Sequence, residues 1–146
     1  MNRGYFAIGI EYPKYKENYG SLYRTALIFG ASFVFVIGGR YKPQKQDTMK
    51  SYKHIPSFSF DCIEDLIKIN THARIVGIEL VDNAGQLIKY WHRDQSIYIL
   101  GSESIGLSSN TINKCDDIIK LPGDVSLNVS VAGSIVLYDR YIKRYK

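Results

Sequence analysis

Three segments of the chain combine side chains able to do chemistry with glycines that let a backbone approach a ligand closely. Asn18 to Ala26 (NYGSLYRTA) carries an amide, Asn18, and a guanidinium, Arg24. Leu100 to Ser108 (LGSESIGLS) is a glycine loop holding one carboxylate, Glu103, behind an apolar run. Leu121 to Ala132 (LPGDVSLNVSVA) brings a hydroxyl, Ser126, and an amide, Asn128, to a polar turn before the last helical stretch. Each segment also has a plain structural role. An Asn or Ser would cap a helix over the first, Arg24 would snorkel or pair with an acid, and Ser126 or Asn128 would cap the final helix. Other chemistry has no support in the sequence. There is no phosphate-loop lysine motif, no dinucleotide glycine fingerprint after the first apolar run and no His-Glu-x-x-His. His54, His72 and His92 stand apart, and Cys62 and Cys115 lack zinc spacing, so no metal site is expected. The Asn128-Val129-Ser130 sequon falls at a helix start and reads as accidental.

The elements that must position these residues alternate along the chain. Tyr5–Ile10, Ser32–Ile37, Arg74–Leu80, Ser96–Leu100 and Asp117–Leu121 are short β-rich runs of nearly continuous hydrophobicity, the signature of strands covered on both faces in a parallel sheet. Leu22, Ala26 and Phe29 before Gly30 mark one helix, Ile63, Leu66 and Ile67 after Asp61 a second, and Ser108–Lys114 a third. Leu127, Val131, Ile135, Tyr138 and Ile142 form the stripe of a final helix whose last turns carry Arg140, Lys143, Arg144 and Lys146, suited to the negative end of its dipole. This order predicts an α/β fold with a ligand at the carboxyl ends of the strands. The polar connection from Gly38 to Ser57 is the one long loop, of a length usually functional or disordered.

Composition sets bounds on what such a fold does. With 146 residues, 45% hydrophobic and 23% charged, the chain fits a single compact globular domain over 1–146. Nineteen Lys and Arg against 14 Asp and Glu leave a formal charge of +5, which permits a polyanionic partner. Two cysteines make no disulfide framework, so a reducing, cytoplasmic compartment is expected. The basic start is not followed by a convincing leader, and the apolar run from Thr25 to Gly39 is too short to span a membrane.

Together and in this order, the three segments resemble the motifs of the SPOUT methyltransferase superfamily, in its TrmH-like (SpoU) branch. Asn18, Gly20, Arg24 and Ala26 match its Asn-x-Gly-x-x-x-Arg-x-Ala helix. Gly101, Glu103, Gly106 and Leu107 match its Gly-x-Glu-x-x-Gly-Leu loop, and residues 126–132 match its Ser-Leu-Asn-Val-Ser-Val-Ala run. Two departures are visible. Only Gly123, Asp124 and Val125 separate Pro122 from Ser126, where many members have a longer Pro-Met-x-Gly stretch, and Leu100 stands where an aromatic is common.

The resemblance implies a parallel-sheet α/β fold with a deep C-terminal trefoil knot, which periodicity alone does not show. It implies S-adenosyl-L-methionine as cofactor, bound against Leu80, Leu100, Gly101, Glu103, Leu121, Ser126 and Leu127. It implies methylation of a ribose 2'-hydroxyl in RNA, with Arg24, Asn18, Glu103, Ser126 and Asn128 as catalytic residues. Transfer RNA ranks ahead of ribosomal RNA as substrate. Arg24, Arg40, Lys42, Lys45, Lys50 and Lys53, with Tyr41 and Tyr52 interleaved, are the candidate RNA surface. A homodimer is expected, with Arg24 acting in its own subunit or across the interface. The alternatives are a ribosomal RNA 2'-O-methyltransferase, a base methylating enzyme of the same superfamily, and an inactive knotted RNA-binding protein.

Overall fold

A computed structural model describes residues 4–39 and 50–145. Seven strands form one sheet: β1 (Tyr5–Glu11), β2 (Phe33–Ile37), β3 (Ser57–Phe60), β4 (Arg74–Ile78), β5 (Gly85–Gln86), β6 (Gln95–Leu100) and β7 (Asp117–Lys120). Their order is β3-β2-β1-β6-β4-β7-β5, and each neighbouring pair is parallel. The helices are α1 (Glu17–Phe29), α2 (Ile63–Ile69), α3 (Ser109–Lys114) and α4 (Val129–Arg144).

Continuous hydrophobicity in the strands is divided by the pleat into two cores. Phe6, Ile8, Ile10, Val34, Val36, Tyr98 and Leu100 face one side, under Leu22, Tyr23 and Ala26 of α1 and Val136 and Leu137 of α4. Ala7, Phe35, Ile37, Ile75, Ile97 and Ile99 face the other, under Ile63 and Leu66 of α2, with Ile112 of α3 packed against them. This is the α/β parallel sheet with both faces covered that the runs predict.

Local details depart from expectation. The strands of four and two residues, β3 and β5, lie in stretches too short and too polar to signal themselves. The 38–57 connection also contains a 3-10 turn at Ser51–Lys53 that packs against α1. The N-cap of α1 is Lys16 with no side-chain bond, because Asn18 lies inside the helix and is used elsewhere. Cys62, not Asp61, occupies the N-cap of α2, again without a side-chain bond. The third helix begins at Ser109, with Ser108 as its cap accepting the Thr111 amide.

The largest difference is in α4. Leu127 precedes the helix, and the stripe of Leu127, Val131, Ile135, Tyr138 and Ile142 points outward, 39% to 55% exposed. The buried face is Val129, Ser130, Ala132, Gly133, Val136, Leu137 and Arg140. Small residues, rather than the bulky stripe, mark the inner face because they let α4 press onto α1 and the sheet: a Cβ on Gly133 would stand 2.5 Å from Leu22 Cδ1. The basic last turns are also turned inward. Arg140 is 2% exposed, stacks on Phe6 and donates to the carbonyls of Arg93 and Asp94. Lys143 donates to the carbonyls of Leu87, Ile88 and Tyr90, and Arg144 to that of His92.

Candidate active site

The chain runs along β4, β6 and β7 toward one edge of the sheet, and the last residues of these strands, Ile78, Leu100 and Lys120, line a cleft of about 520 Å³. The expected cofactor residues Leu80, Leu100, Gly101, Glu103, Leu121, Ser126 and Leu127 all line it, as do Asn18 and Asn128. Apolar walls with a few converging polar groups, at this volume, suit a nucleoside-sized ligand.

The glycine loop closes on itself. Ser102 and Gly106 form an antiparallel bridge, with amide-to-carbonyl distances of 3.2 and 2.9 Å. A Cβ on Gly101 would collide with the Gly106 and Leu107 backbone, and Gly106 has φ +70°. Both glycines of the motif are thus required by close backbone approach. The loop is rooted by two carboxylates that end strands. Glu79, just beyond β4, accepts the Leu107 amide at 2.6 Å and the Leu80 amide at 3.0 Å. Glu11, 2% exposed at the end of β1, accepts the Ser108 amide at 2.7 Å and the Ser108 and Thr111 hydroxyls.

At the polar end of the cleft, the three sequence segments meet through one directional line of hydrogen bonds. Asn128 caps α4, its Oδ1 accepting the Ser130 and Val131 amides at 2.9 and 3.2 Å. Its Nδ2 is left to donate to Asn18 Oδ1 at 3.0 Å. Asn18 Nδ2 in turn donates to Glu103 Oε1 at 2.6 Å, while the Lys14 amide donates to Glu103 Oε2 at 2.8 Å. Burial pushes the Glu103 carboxyl up, but the hydrogen bonds from the Lys14 amide and Asn18 outweigh it and hold the group below its ordinary value. A fixed carboxylate therefore faces the cleft.

Arg24 is elsewhere. It lies on the exposed face of α1 and does not line the cleft, so one chain unites Asn18, Glu103, Ser126 and Asn128 but not Arg24. Helices α1 and α4 run side by side in the same direction, with Asn18 at Asn128, Thr25 at Ser134 and Phe29 at Tyr138. Arg24 and Ile28 of α1 are exposed, as is the outward stripe of the neighbouring α4. Lys50 and Lys53 are exposed beside α1. Arg40, Lys42 and Lys45 lie outside the described residues. Among the described residues no His, Cys, Asp or Glu cluster could hold a metal ion, and no helix is long and apolar enough to cross a membrane.

Residues 5–138 match the SpoU rRNA Methylase family model. The chain belongs to the SpoU methylase family. A protein of Staphylococcus haemolyticus assigned to the TrmH family of tRNA/rRNA methyltransferases is 32% identical over 94% of the chain, and a Staphylococcus epidermidis counterpart is 31% identical over the same share. This SpoU family chain spans 57% of the length of those relatives. Among solved structures, the SpoU methyltransferase AviRb of Streptomyces viridochromogenes, in complex with the cofactor AdoMet, superposes with a TM-score of 0.87 at 18% identity, covering 98% of this chain and 59% of AviRb. The A. aeolicus TrmH/SpoU tRNA modifying enzyme gives 0.87 at 23%, covering 96% and 75%. A chain solved for the 2-OH methylation of C/U34 on tRNA gives 0.84 at 20%, covering 98% of both. At these identities the likeness is one of fold.

Sequence reasoning missed Glu11 and Glu79. Each follows a continuous apolar strand run at its carboxyl end, and an acid at that position, beside a glycine loop, is the signal that could have found them.

Proposed function

We propose that this chain is an S-adenosylmethionine-dependent RNA methyltransferase acting on a ribose 2'-hydroxyl. The observation that carries the reading is the convergence of Asn18, Glu103, Ser126 and Asn128 on one cleft at the strand ends, walled by Leu80, Leu100 and Leu121. The donor set suits the cofactor: leucines give an apolar slot for adenine, and Ser102, Glu103 and Ser126 offer polar anchors for the ribose and the methionine part. AviRb, a SpoU methyltransferase of the same fold solved with AdoMet, supports the choice of cofactor. When bound, the cofactor supplies an electrophilic methyl group, and transfer requires the attacking oxygen in line with it.

Positioning the two reactants lowers the barrier by about 7 to 11 kcal/mol in well-oriented systems. The chain's part is that positioning and the stabilisation of charge on the ribose oxygen. Arg24 cannot take the proton, because a guanidinium stays protonated. It binds an RNA phosphate bidentately and stabilises the developing alkoxide, and the phosphate or solvent receives the proton. Glu103, braced by Asn18, and Ser126 and Asn128 hold the opposite side.

The absence of Arg24 from its own cleft, with the exposed α4 stripe beside it, favours a homodimer in which Arg24 reaches the partner's cleft. The 122–128 segment closing the cleft is read as part of the trefoil knot of the family. The likeness in fold, over 98% of both chains, to the chain solved for tRNA methylation is what supports transfer RNA over ribosomal RNA, and the cytoplasmic setting rests on the cysteine usage alone. Lys50 and Lys53, with Arg40, Lys42 and Lys45, would guide the RNA.

Incubation with labelled S-adenosylmethionine and either total small RNA or total ribosomal RNA tests the reading. Alkaline mapping of the product is expected to show a protected linkage, since a 2'-O-methyl removes the hydroxyl that cleaves it. A labelled base with normal cleavage overturns ribose specificity. Arg24→Lys keeps the charge and loses the fork, so near-normal turnover would defeat the bidentate contact.

A further inference from the structure

We propose that Glu79 is a positioning residue that fixes the shape of the cofactor cleft by clasping the 101–107 loop to the end of β4. The inference rests on the reading of the cleft as an S-adenosylmethionine site. Among the stretches that line the cleft are 78–80, 100–106 and 120–122. They meet at Glu79. Its amide donates to the Ile119 carbonyl at 3.0 Å, Oε1 accepts the Leu80 amide and Oε2 accepts the Leu107 amide at 2.6 Å. The approach is so close that a Cβ on Gly106 would collide with Oε2, which gives the second glycine of the loop a reason beyond its φ of +70°.

An acid is required here for a chemical reason. Both partners are backbone donors, so the side chain must offer acceptors on both arms, as a carboxylate does. A glutamine offers one acceptor and turns an NH2 group toward the other amide. The strand ladders hold Leu100 against Ile78 without this clasp, and what the clasp fixes is the return of the 101–107 loop, at Leu107, against Leu80. A loop free to drift would occupy the binding-competent arrangement only part of the time, and apparent affinity falls by that fraction.

The test is calorimetric titration of the full chain with S-adenosylhomocysteine, for wild type, Glu79→Gln, Glu79→Ala, Gly106→Ala and the Glu79→Ala/Gly106→Ala pair. Glu79→Gln is expected to weaken binding about tenfold, as for loss of one charged hydrogen bond, and Glu79→Ala further. In methyl transfer the loss falls on KM for the cofactor more than on kcat. Gly106→Ala weakens binding in wild type and does less in the Glu79→Ala background, where the carboxylate it strikes is gone. Thermal melts identify any variant that fails to fold, and Glu79→Gln, nearly isosteric, then carries the test. Unchanged affinity in Glu79→Gln and Glu79→Ala while wild type binds, or losses that simply multiply in the pair, overturns the role of Glu79. Failure of wild type itself to bind overturns the cofactor reading and this inference with it.

Discussion

The two ends of α4 are built on opposite principles. At the carboxyl end, Arg140, Lys143 and Arg144 donate to carbonyls of the 87–94 segment, and buried His92 joins the Tyr98 hydroxyl to Asp139 at 2.8 Å from the carboxylate. At the amino end the contacts are a side-chain line from Asn128 through Asn18 to Glu103, open to the cleft, with exposed Pro122 to Leu127 leading into it. The first end anchors the helix, and the second opens onto the cleft proposed to bind the cofactor. Burial explains the division: the Arg140 guanidinium, 2% exposed, must find acceptors inside the fold, whereas the amino-end amides keep one side open to the cleft.

Substitutions at the two ends should therefore separate stability from function. Arg140→Met is expected to have the largest effect on folding, roughly 3 kcal/mol in urea unfolding, because it removes the charged hydrogen bonds of a buried guanidinium to the Arg93 and Asp94 carbonyls and the Tyr98 hydroxyl. The molecules that remain folded should bind S-adenosylhomocysteine as wild type does, and a weakened affinity would break the comparison. Asn128→Ala should cost about 1 kcal/mol as a lost helix cap yet lower turnover about a hundredfold, measured as single-turnover methyl transfer. Equal losses at both ends would make the amino end another anchor.

Two pH profiles sharpen the contrast. Burial, working against the hydrogen bond that His92 donates to Asp139, lowers the His92 pKa from 6.5 to about 4. Between those values the unfolded chain binds the extra proton, so stability falls as the pH drops from about 6.5 and levels off below about 4. His92→Gln should remove that slope in unfolding curves. Glu103, held below its ordinary value, contributes stability that is present above the usual carboxylate range and is lost as pH falls through the lower folded value. Glu103→Gln should flatten this smaller acid slope, and any effect near pH 6 would contradict the assignment.

Much of this molecule was legible before its structure. Strands β1, β2, β4, β6 and β7 announce themselves because a strand covered on both faces reads as a nearly continuous apolar run, and the three segments that meet at the cleft do so through glycines and polar side chains that no core needs. What stayed hidden depends on neighbours distant in sequence. The outward turn of the α4 stripe was illegible because periodicity identifies a stripe without saying what covers it, and Ala132 and Gly133 look unremarkable until α1 and the sheet press against them. Arg140 reads as a surface cation until the carbonyls of 93 and 94 are found above it. The separation of Arg24 from the cleft is equally invisible, since the motif that joins it to Asn18 spans more than one turn of helix and so two faces.

The one-way order of the Asn128, Asn18 and Glu103 line has a consequence for how the protein ages. Its direction begins with α4 amides that cannot turn round, so each asparagine must accept on one arm and donate on the other. Deamidation of either to aspartate erases the donor: at Asn18 it sets a carboxylate against Glu103, and at Asn128 an anionic oxygen against the amide oxygen of Asn18. Slow amide hydrolysis at Asn18 or Asn128 would thus silence the cleft while the anchored end of α4 kept the fold intact, producing old molecules that remain folded but inert.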